Sequence, residues 1–440
     1  MKTTNRVFVV DTNHKPLTLC RPVRARQLLW DKKAAVLRRY PFTIILKESK
    51  LNAVVNPVKV KVDPGANTTG IALVDIKKNI VIFASELEHR GFGIKSSIDS
   101  RRSQRRSRRN HNLRYREARF DHRTRTDKWL PPSLRHRVET TMTWINRFMR
   151  FAPIESLAIE HAKFDIQKMQ NPEISVVGYQ QGELFGYEVR EYLLEKWGRK
   201  CAYCGKENIP LEVEHIVSKS KGGTDRVSNL TISCRECNES KGNHPVAEFL
   251  ADKSDVLKRI LAQAKSPLKS AAITQATRNV LTLAMCDTNL IVETGTGAQT
   301  KMNRVKLGYK KAHWIDAACV GSSGVAVNLN VGMIPMSIKS KGHGNRQMCG
   351  TDKFGFPIRH RSGQKKYFGF ETGDIVKADV LAGKKNGRYI GRVLCRKSGS
   401  FDISTAIGRI EGIPWRCCKV VHANDGYSYR QGEGAIPPHV

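Results

Sequence analysis

The chain has 440 residues, enough for about two to four domains, and its 76 Lys and Arg against 40 Asp and Glu leave a net charge of +36. So much like charge repels itself unless a polyanion neutralises it, which makes nucleic acid the first partner to consider and an anionic membrane surface the second. The membrane reading lacks a span: no stretch offers about 18 consecutive apolar residues, and the long uncharged run 317–338 is broken by Gly, Ser, Asn and Pro.

The N-terminal MKTTNRVFVVDTNHK lacks the charged-then-apolar design of a signal peptide, so a cytosolic chain is expected, where disulfides are rare. Residues 5–50 alternate apolar and polar segments. RVFVVD and FTIILK flank ARQLLWDKKAAVL, whose Leu28, Leu29, Ala35 and Val36 have helical spacing, and a small βαβ-like module is expected. VKVKVD (58–63) reads as a strand by its valine alternation. It runs through the turn PGANTTG into IALVDI, and NIVIFASELE supplies a third strand, which predicts an antiparallel meander.

Residues 101–125 change character: RRSQRRSRRNHNLRYREARFDHRTR holds eleven arginines and no Gly or Pro. Arg is a good helix former, so one exposed basic helix is expected. A merely solvated face is the bland alternative, but one sign of charge at this density repels itself without a polyanion. The planar guanidinium also suits bidentate phosphate contacts. The candidate nucleic-acid contacts are Arg101, Arg102, Arg105, Arg106, Arg108, Arg109, Arg114, Arg116, Arg119 and Arg123. An amphipathic helix follows over 133–151, then a short strand, ESLAIEHAKFD (155–165), that carries a glutamate. Helices are expected over 182–200, 245–262, the first part of 275–293 before a strand LIVET, and 310–321. From about 331 the texture turns to short β-like runs with many Gly and basic residues, KYFGFETGDIVKADV and GRYIGRVLCRKSG, which read as a small β-barrel or SH3-like module.

Between 201 and 242 lies CAYCGKENIPLEVEHIVSKSKGGTDRVSNLTISCRECNESKG. Cys201, Cys204, Cys234 and Cys237 form two C-x2-C pairs, the spacing of tetrahedral thiolate coordination of a structural zinc. Four thiolates fill the zinc shell, so that ion is closed to chemistry. The other seven cysteines are scattered and read as packing residues. LEVEHIV alternates, so it makes a strand with Glu214 and His215 on opposite faces or at a bulge. Gly222 and Gly223 turn the chain, SNL follows, and CNESKG opens a helix. A hairpin bearing an acid–His pair, followed by a helix bearing an Asn, is the ββα-metal layout. There a carboxylate and an amide oxygen hold one Mg²⁺ and the histidine is general base on the attacking water. The segment resembles the HNH endonuclease family. The resemblance implies that Glu214 is a magnesium ligand, His215 the catalytic base, Asn229 the residue that orients it and Asn238 a metal ligand. A zinc knuckle with an incidental His is the bland alternative.

A second set of acids sits at element ends. Asp63 closes VKVKVD, Glu160 closes SLAIE, and His313 and Asp316 stand three apart, on one helix face. Two-metal nucleases need several carboxylates converging on ions about 3.5–4 Å apart. Each residue alone reads as an ordinary turn former or surface group. Their combination and order resemble the RuvC branch of the RNase H fold split into three pieces, which implies Asp63, Glu160 and Asp316 as magnesium ligands, with His313 assisting.

A split RuvC with an Arg-rich bridge helix and an inserted HNH resembles the IscB family, transposon-associated RNA-guided DNA nucleases related to the type II CRISPR effectors. The resemblance covers roughly residues 1–330. It implies an α/β multidomain chain: a PLMP-like domain (1–55), RuvC-I (56–93), bridge helix (94–125), RuvC-II (126–190), HNH with structural zinc (191–255), RuvC-III (256–330) and a β-rich region (331–440) facing guide RNA and the target-adjacent motif. The name-giving P-L-M-P reads Pro16-Leu17-Thr18-Leu19 here. The resemblance further implies an omega guide RNA and double-stranded DNA as partners, a monomeric protein in a prokaryotic ribonucleoprotein, HNH cutting the guide-paired strand and RuvC the displaced one. Three rivals stay open: an RNA-free HNH endonuclease, a TnpB-like nuclease with RuvC and a zinc ribbon, and a non-catalytic zinc-containing RNA-binding protein.

Overall fold

The computed structural model describes residues 5–50, 52–110, 129–161, 190, 193–194, 196–198, 200–207, 209–264, 269–330, 332–343, 349–354, 356–360 and 363–431. The chain divides into two units, one of residues 1–160 and 280–440, the other of residues 161–279.

The first unit begins with a ββαββ module rather than the βαβ expected. Strands β1 (Val7–Val10) and β2 (Pro16–Cys20) are antiparallel, helix α1 (Pro22–Trp30) follows, and β3 (Ala34–Arg38) and β4 (Thr43–Leu46) complete a sheet of order β2-β1-β4-β3. The helical spacing read through Ala35 and Val36 is broken at Lys32, whose φ of 56° is left-handed. Beyond it Ala35 and Val36 belong to β3, paired with Ile45 and Ile44.

The expected meander is present: β5 (Val58–Asp63), β6 (Thr68–Asp75) and β7 (Ile80–Glu88) run antiparallel in sequence. Helix α2 (Gly91–Asn110) carries the first part of the arginine run and starts ten residues before it. Helix α3 (Pro132–Phe151) has Pro at its first turn, where no amide partner is lost. Its inner face buries Val138, Trp144, Ile145 and Phe148. Each such side chain contributes roughly 1.5–3 kcal/mol. Strand β8 (Ile154–Glu160) then pairs parallel to β5.

The second unit holds the hairpin β9 (Leu211–His215) and β10 (Leu230–Cys234), helix α4 (Arg235–Lys241), the short α5 (Val246–Phe249) and α6 (Ser254–Ala264). Leu211, Ile216, Val227, Leu230, Ile232, Val246, Leu250 and Ile260 form its own core.

Helix α7 (Lys269–Cys286) leads back to the first unit through β11 (Ile291–Gly295), parallel to β8. Helices α8 (Gly297–Lys306) and α9 (His313–Ala318) and strand β12 (Met336–Ser340) follow. Two small hairpins come next, β13 (Cys349–Thr351) with β14 (Pro357–His360) and β15 (Lys366–Tyr367) with β16 (Phe370–Glu371). The expected barrel-like module is a five-stranded antiparallel sheet of order β20-β19-β18-β17-β21: β17 (Ile375–Val380), β18 (Gly387–Leu394), β19 (Ser400–Ser404), β20 (Arg409–Pro414) and β21 (Cys418–His422). Strand β22 (Tyr427–Gln431) closes the described chain.

The central sheet has seven strands in the order β11-β8-β5-β6-β7-β12-β22. Covered on both faces, its strands β6, β7 and β8 are buried almost throughout. Trp144, Phe148 and Ile145 share one core with Val58, Val60, Val62, Ile71 and Leu73. Trp314, Ile315, Ala317 and Ala318 pack with Ala72, Val74, Val81 and Ala84 in another. A buried network ties the start and end of this unit: Asp425 accepts from Arg38 at 2.8 Å, from Arg147 at 3.2 Å and from the Tyr429 hydroxyl, while Tyr40 stacks on Tyr429.

Candidate active sites and nucleic-acid surface

The first cluster of sequence-derived residues gathers at the ends of the parallel strands. Asp63 is the last residue of β5 and Glu160 the last of β8. Val62 pairs in register with Ile159, so the two acids leave neighbouring strands side by side. Glu160 is also paired with Gly295 of β11. Its Oε1 lies 3.3 Å from where a Gly297 Cβ would stand, against the start of α8.

Two devices bring α9 to the same place. Gly70 pairs with Asp63 across the ladder. A Cβ at Gly70 would stand 1.9 Å from the His313 carbonyl oxygen, so only glycine lets the start of α9 approach this closely. At the other end of α9, the buried Lys61 donates to the carbonyls of Ala318 at 3.0 Å and Val320 at 2.9 Å, which satisfies helix-end acceptors. Burial brings its ammonium down to a pKa of about 8. Asp316 forms a largely enclosed ion pair with Arg304 of α8 at 2.7 Å, with 14% and 11% of the side chains exposed. His313 is exposed at the start of α9.

The donor chemistry of three carboxylates suits a hard cation such as Mg²⁺. Among the described residues, however, the four cysteines are the one group of three or more ligand atoms found converging within 4.8 Å.

The cysteines meet as their spacing demands. Cys201, Cys204, Cys234 and Cys237 converge, and the Cys204 and Cys234 sulfurs are 3.8 Å apart. That is the separation of about 3.8 Å that tetrahedral bonds of about 2.3 Å to zinc would give. Burial alone would raise the Cys201 thiol, but backbone amides, first that of Cys204, outweigh it and bring the thiol down to about 7. The site can hold a metal such as zinc.

On the stapled hairpin, β9 pairs with β10, placing His215 opposite Leu230 and Glu214 opposite Thr231. Strand alternation turns Glu214 inward, 6% exposed, and His215 to the other face. Lys241 of α4 is 0% exposed; its ammonium donates to Glu214 Oε1 at 2.6 Å and to the His215 carbonyl at 2.9 Å. The Tyr203 hydroxyl donates to Glu214 Oε2. Burial, reinforced by the Glu214 charge, pushes that hydroxyl's pKa up. Asn238 donates from Nδ2 to Glu212 Oε2 at 2.8 Å.

Glu214 and Asn238, the two residues expected to share a magnesium ion, are both engaged by other protein groups here. Both Glu214 oxygens are taken and its charge is already neutralised by Lys241, while Asn238 faces Glu212. Asn229 braces the turn instead of touching the ring: Oδ1 accepts from the Val217 amide at 2.9 Å, and Nδ2 donates to the carbonyls of Val217 at 3.0 Å and Thr224 at 2.9 Å. His215 Nε2 lies 2.8 Å from Asp225 Oδ1. Lys219 holds the other Asp225 oxygen at 2.9 Å. The hydrogen bond from Lys219, then that from His215, lowers the Asp225 pKa.

Asp225, Lys241, Arg304 and Lys61 were not singled out in the sequence. Asp225 and Lys241 have a local signal, in GGTD and CNESKG. Arg304 and Lys61 have none, because their partners lie in other elements.

Arg101, Arg102, Arg105, Arg106 and Arg109 are exposed on α2, and Arg108 lies in the same helix. Arg114, Arg116, Arg119 and Arg123 lie outside the described residues. No helix among the described residues is long and apolar enough to cross a membrane.

Residues 7–182 match the family model described as RRXRR protein, and residues 201–244 match that of HNH endonuclease. The stapled hairpin therefore belongs to an HNH endonuclease domain, the mark of a nuclease. No curated protein matches the chain. Among solved structures, Streptococcus thermophilus Cas9 in complex with the AGAA PAM is 13% identical, with a TM-score of 0.24 over 60% of this chain and 32% of that one. The type II-C Cas9 enzyme from Actinomyces naeslundii is 19% identical, with a TM-score of 0.16 over 44% of this chain and 29% of that one. The chain thus spans about a third of the length of the structures it matches.

Proposed function

We propose that this protein is an RNA-guided double-strand DNA endonuclease of the IscB kind, with two active sites that each cut one strand. The observation that carries the reading is the placement of the HNH match, residues 201–244, in the sequence between β8 and β11, which are neighbours in parallel register. Strands β7-β6-β5-β8-β11, with the first three antiparallel and the last two parallel to β5, have the strand order of an RNase H-type sheet, and Asp63 and Glu160 leave its adjacent strand ends. A sheet of this order interrupted in sequence by an HNH domain is what a split RuvC with inserted HNH would present, and it supports the reading. The domains are those drawn from the sequence, 56–93, 126–190 and 256–330 for RuvC and 191–255 for HNH, with 94–125 as the bridge helix and 331–440 as the region facing guide and adjacent motif.

In the RuvC site Asp63, Glu160 and Asp316 would hold Mg²⁺, which supplies stabilisation of charge on the phosphate and leaving oxygen. Arg304 must release Asp316 for that. His313, exposed at the helix start, is placed to take a proton from water. In the HNH site His215 is the general base: as a water oxygen attacks the phosphorus, the ring takes the water's proton. The phosphorus–oxygen bond to the leaving strand breaks and the leaving oxygen gains a proton from solvent. One water is consumed, leaving a phosphomonoester and a hydroxyl end. Glu214 anchors the hairpin through Lys241, and zinc at the four cysteines staples it. The exposed arginines of α2 grip the guide backbone without reading sequence, and the base pairs carry specificity.

The test is nicking of plasmid DNA with Mg²⁺ by the protein together with the RNA that copurifies. His215→Ala and Asp63→Ala should each leave a single-strand nick, on opposite strands, and the double variant should be inert. Double-strand cutting by His215→Ala rules out the HNH assignment. A protein that purifies free of nucleic acid argues for the RNA-free HNH endonuclease, and a wild type inert on DNA for the RNA-binding alternative.

A further inference from the structure

Asp225 lies on the loop between Gly222 and Val227, beyond the residues drawn from the motif. Three constraints fix that loop. Gly223 packs so closely that a Cβ would stand 1.8 Å from the Val217 carbonyl oxygen. Asn229 clamps Val217 from both sides and holds the carbonyl of Thr224, the residue just before Asp225. Lys219 pairs with Asp225 Oδ2. The carboxylate is therefore presented in one place, with Oδ1 on His215 Nε2 at 2.8 Å. The ring's own strand is held too, because Lys241 takes the His215 carbonyl. Glu214 points to the opposite face and Lys219 stands behind Asp225, so Asp225 is the charged group that meets the imidazole. Nδ1 has no partner among the described residues, and 26% of the side chain is exposed.

An ionised carboxylate only accepts hydrogen bonds. In the neutral ring that a general base requires, Nε2 then carries the proton and Nδ1 the lone pair. We propose that Asp225 is the positioning residue of the HNH site, holding His215 in the Nε2–H tautomer and turning the Nδ1 lone pair toward the attacking water. This rests on the reading of His215 as the general base. The logic is that of any base whose second nitrogen is fixed by a carboxylate. Asn229 then acts one step further out, by fixing the loop that carries Asp225.

The test uses the full chain with its copurifying RNA. Asp225→Ala and the near-isosteric Asp225→Asn are made in the Asp63→Ala background, so that only the HNH strand is cut. Each should lower kcat by about 10²-fold or more, with KM, bound zinc and the far-ultraviolet spectrum unchanged, and Asp225→Glu should recover part of the rate. Nitrogen-15 spectra of histidine-labelled protein, with the His215 signals identified by their loss in His215→Gln, should report the Nε2–H tautomer in the parent and a mixed population in Asp225→Ala. A parental kcat in Asp225→Ala overturns the proposal if His215→Ala is inactive. A parental kcat in both variants overturns the reading of the hairpin itself. A pure Nε2–H tautomer retained in Asp225→Ala shows that Asp225 does not set it, and overturns the proposal whatever the rate.

Discussion

The HNH hairpin and the acid cluster of the central sheet are built in opposite ways. The hairpin draws its residues from one short segment: Glu214, His215, Asp225, Asn229, Asn238 and Lys241 all lie between the first and last turns of 201–242, and four thiolates close it. The candidate sheet site draws Asp63 and Glu160 from β5 and β8, side by side in parallel register, and Asp316 from α9, which packs on β6 through an apolar core. A site of the first kind depends on its staple and a few buried polar bonds. One of the second kind depends on packing far from the chemistry.

The largest expected effect breaks the first and spares the second. With zinc held at the four cysteines as their geometry allows, its removal should withdraw an apparent binding energy of about 10–16 kcal/mol typical of structural zinc. Hydrogen exchange should show β9, β10 and α4 losing protection while β5–β8 keep theirs. Protection that survives in protein verified to be metal-free would end the claim that the staple holds the hairpin.

Lys241→Ala comes next. It leaves the Glu214 carboxylate buried and unpaired, at a cost of about 3–5 kcal/mol, and denaturant unfolding should show the loss in the hairpin unit alone. The double variant Lys241→Met with Glu214→Gln should recover much of it, because no charge is then stranded. Failure to recover would mean that Lys241 does more than neutralise Glu214.

Trp144→Ala is the counterpart for the sheet. Trp144 is fully buried in the core shared with β5 and α3, and its truncation should cost about 3–5 kcal/mol in the sheet unit, with the hairpin's protection unchanged. On the proposal that the sheet acids form a second nuclease site, nicking of that site's strand should suffer before nicking of the HNH strand.

The smallest effect is a pH dependence. The Lys61 pKa is brought from 10.5 down to about 8 by burial. Between those values the unfolded chain binds the extra proton, so stability rises as pH rises from 8 to 10.5, by up to about 3 kcal/mol. Below pH 8 both states are charged and the dependence vanishes. Lys61→Met should remove this rise, measured as the difference between the two proteins' melts across that window. A rise that persists in Lys61→Met assigns it to other groups.

Much of this molecule was legible one segment at a time. Valine alternation marked β5, apolar spacing marked α3, and two C-x2-C pairs marked the metal site, because each signal and its cause lie within a few residues. The hairpin was legible in the same way, with Glu214 and His215 on opposite faces or at a bulge, and the regular β9–β10 pairing has them on opposite faces. Local patterns misled where a backbone conformation intervened, as at Lys32, where a helical spacing continues on paper and the chain turns into β3.

The inventory was readable from the residues alone: four thiolates at metal spacing, an acid–His pair on a strand, acids at strand ends, and a run of arginine that only a polyanion neutralises. Who meets whom was settled by packing. Asp63 and Glu160 stand side by side because parallel pairing of β5 and β8 aligns residues almost a hundred positions apart, Gly70 admits α9, and Arg304 occupies Asp316. Lys241 pairs with the carboxylate of Glu214, and Asp225 meets Nε2 of His215. Side-chain partnerships are chosen by the free energy of burying charge, and which charges are buried together is a property of the packed chain rather than of any one segment.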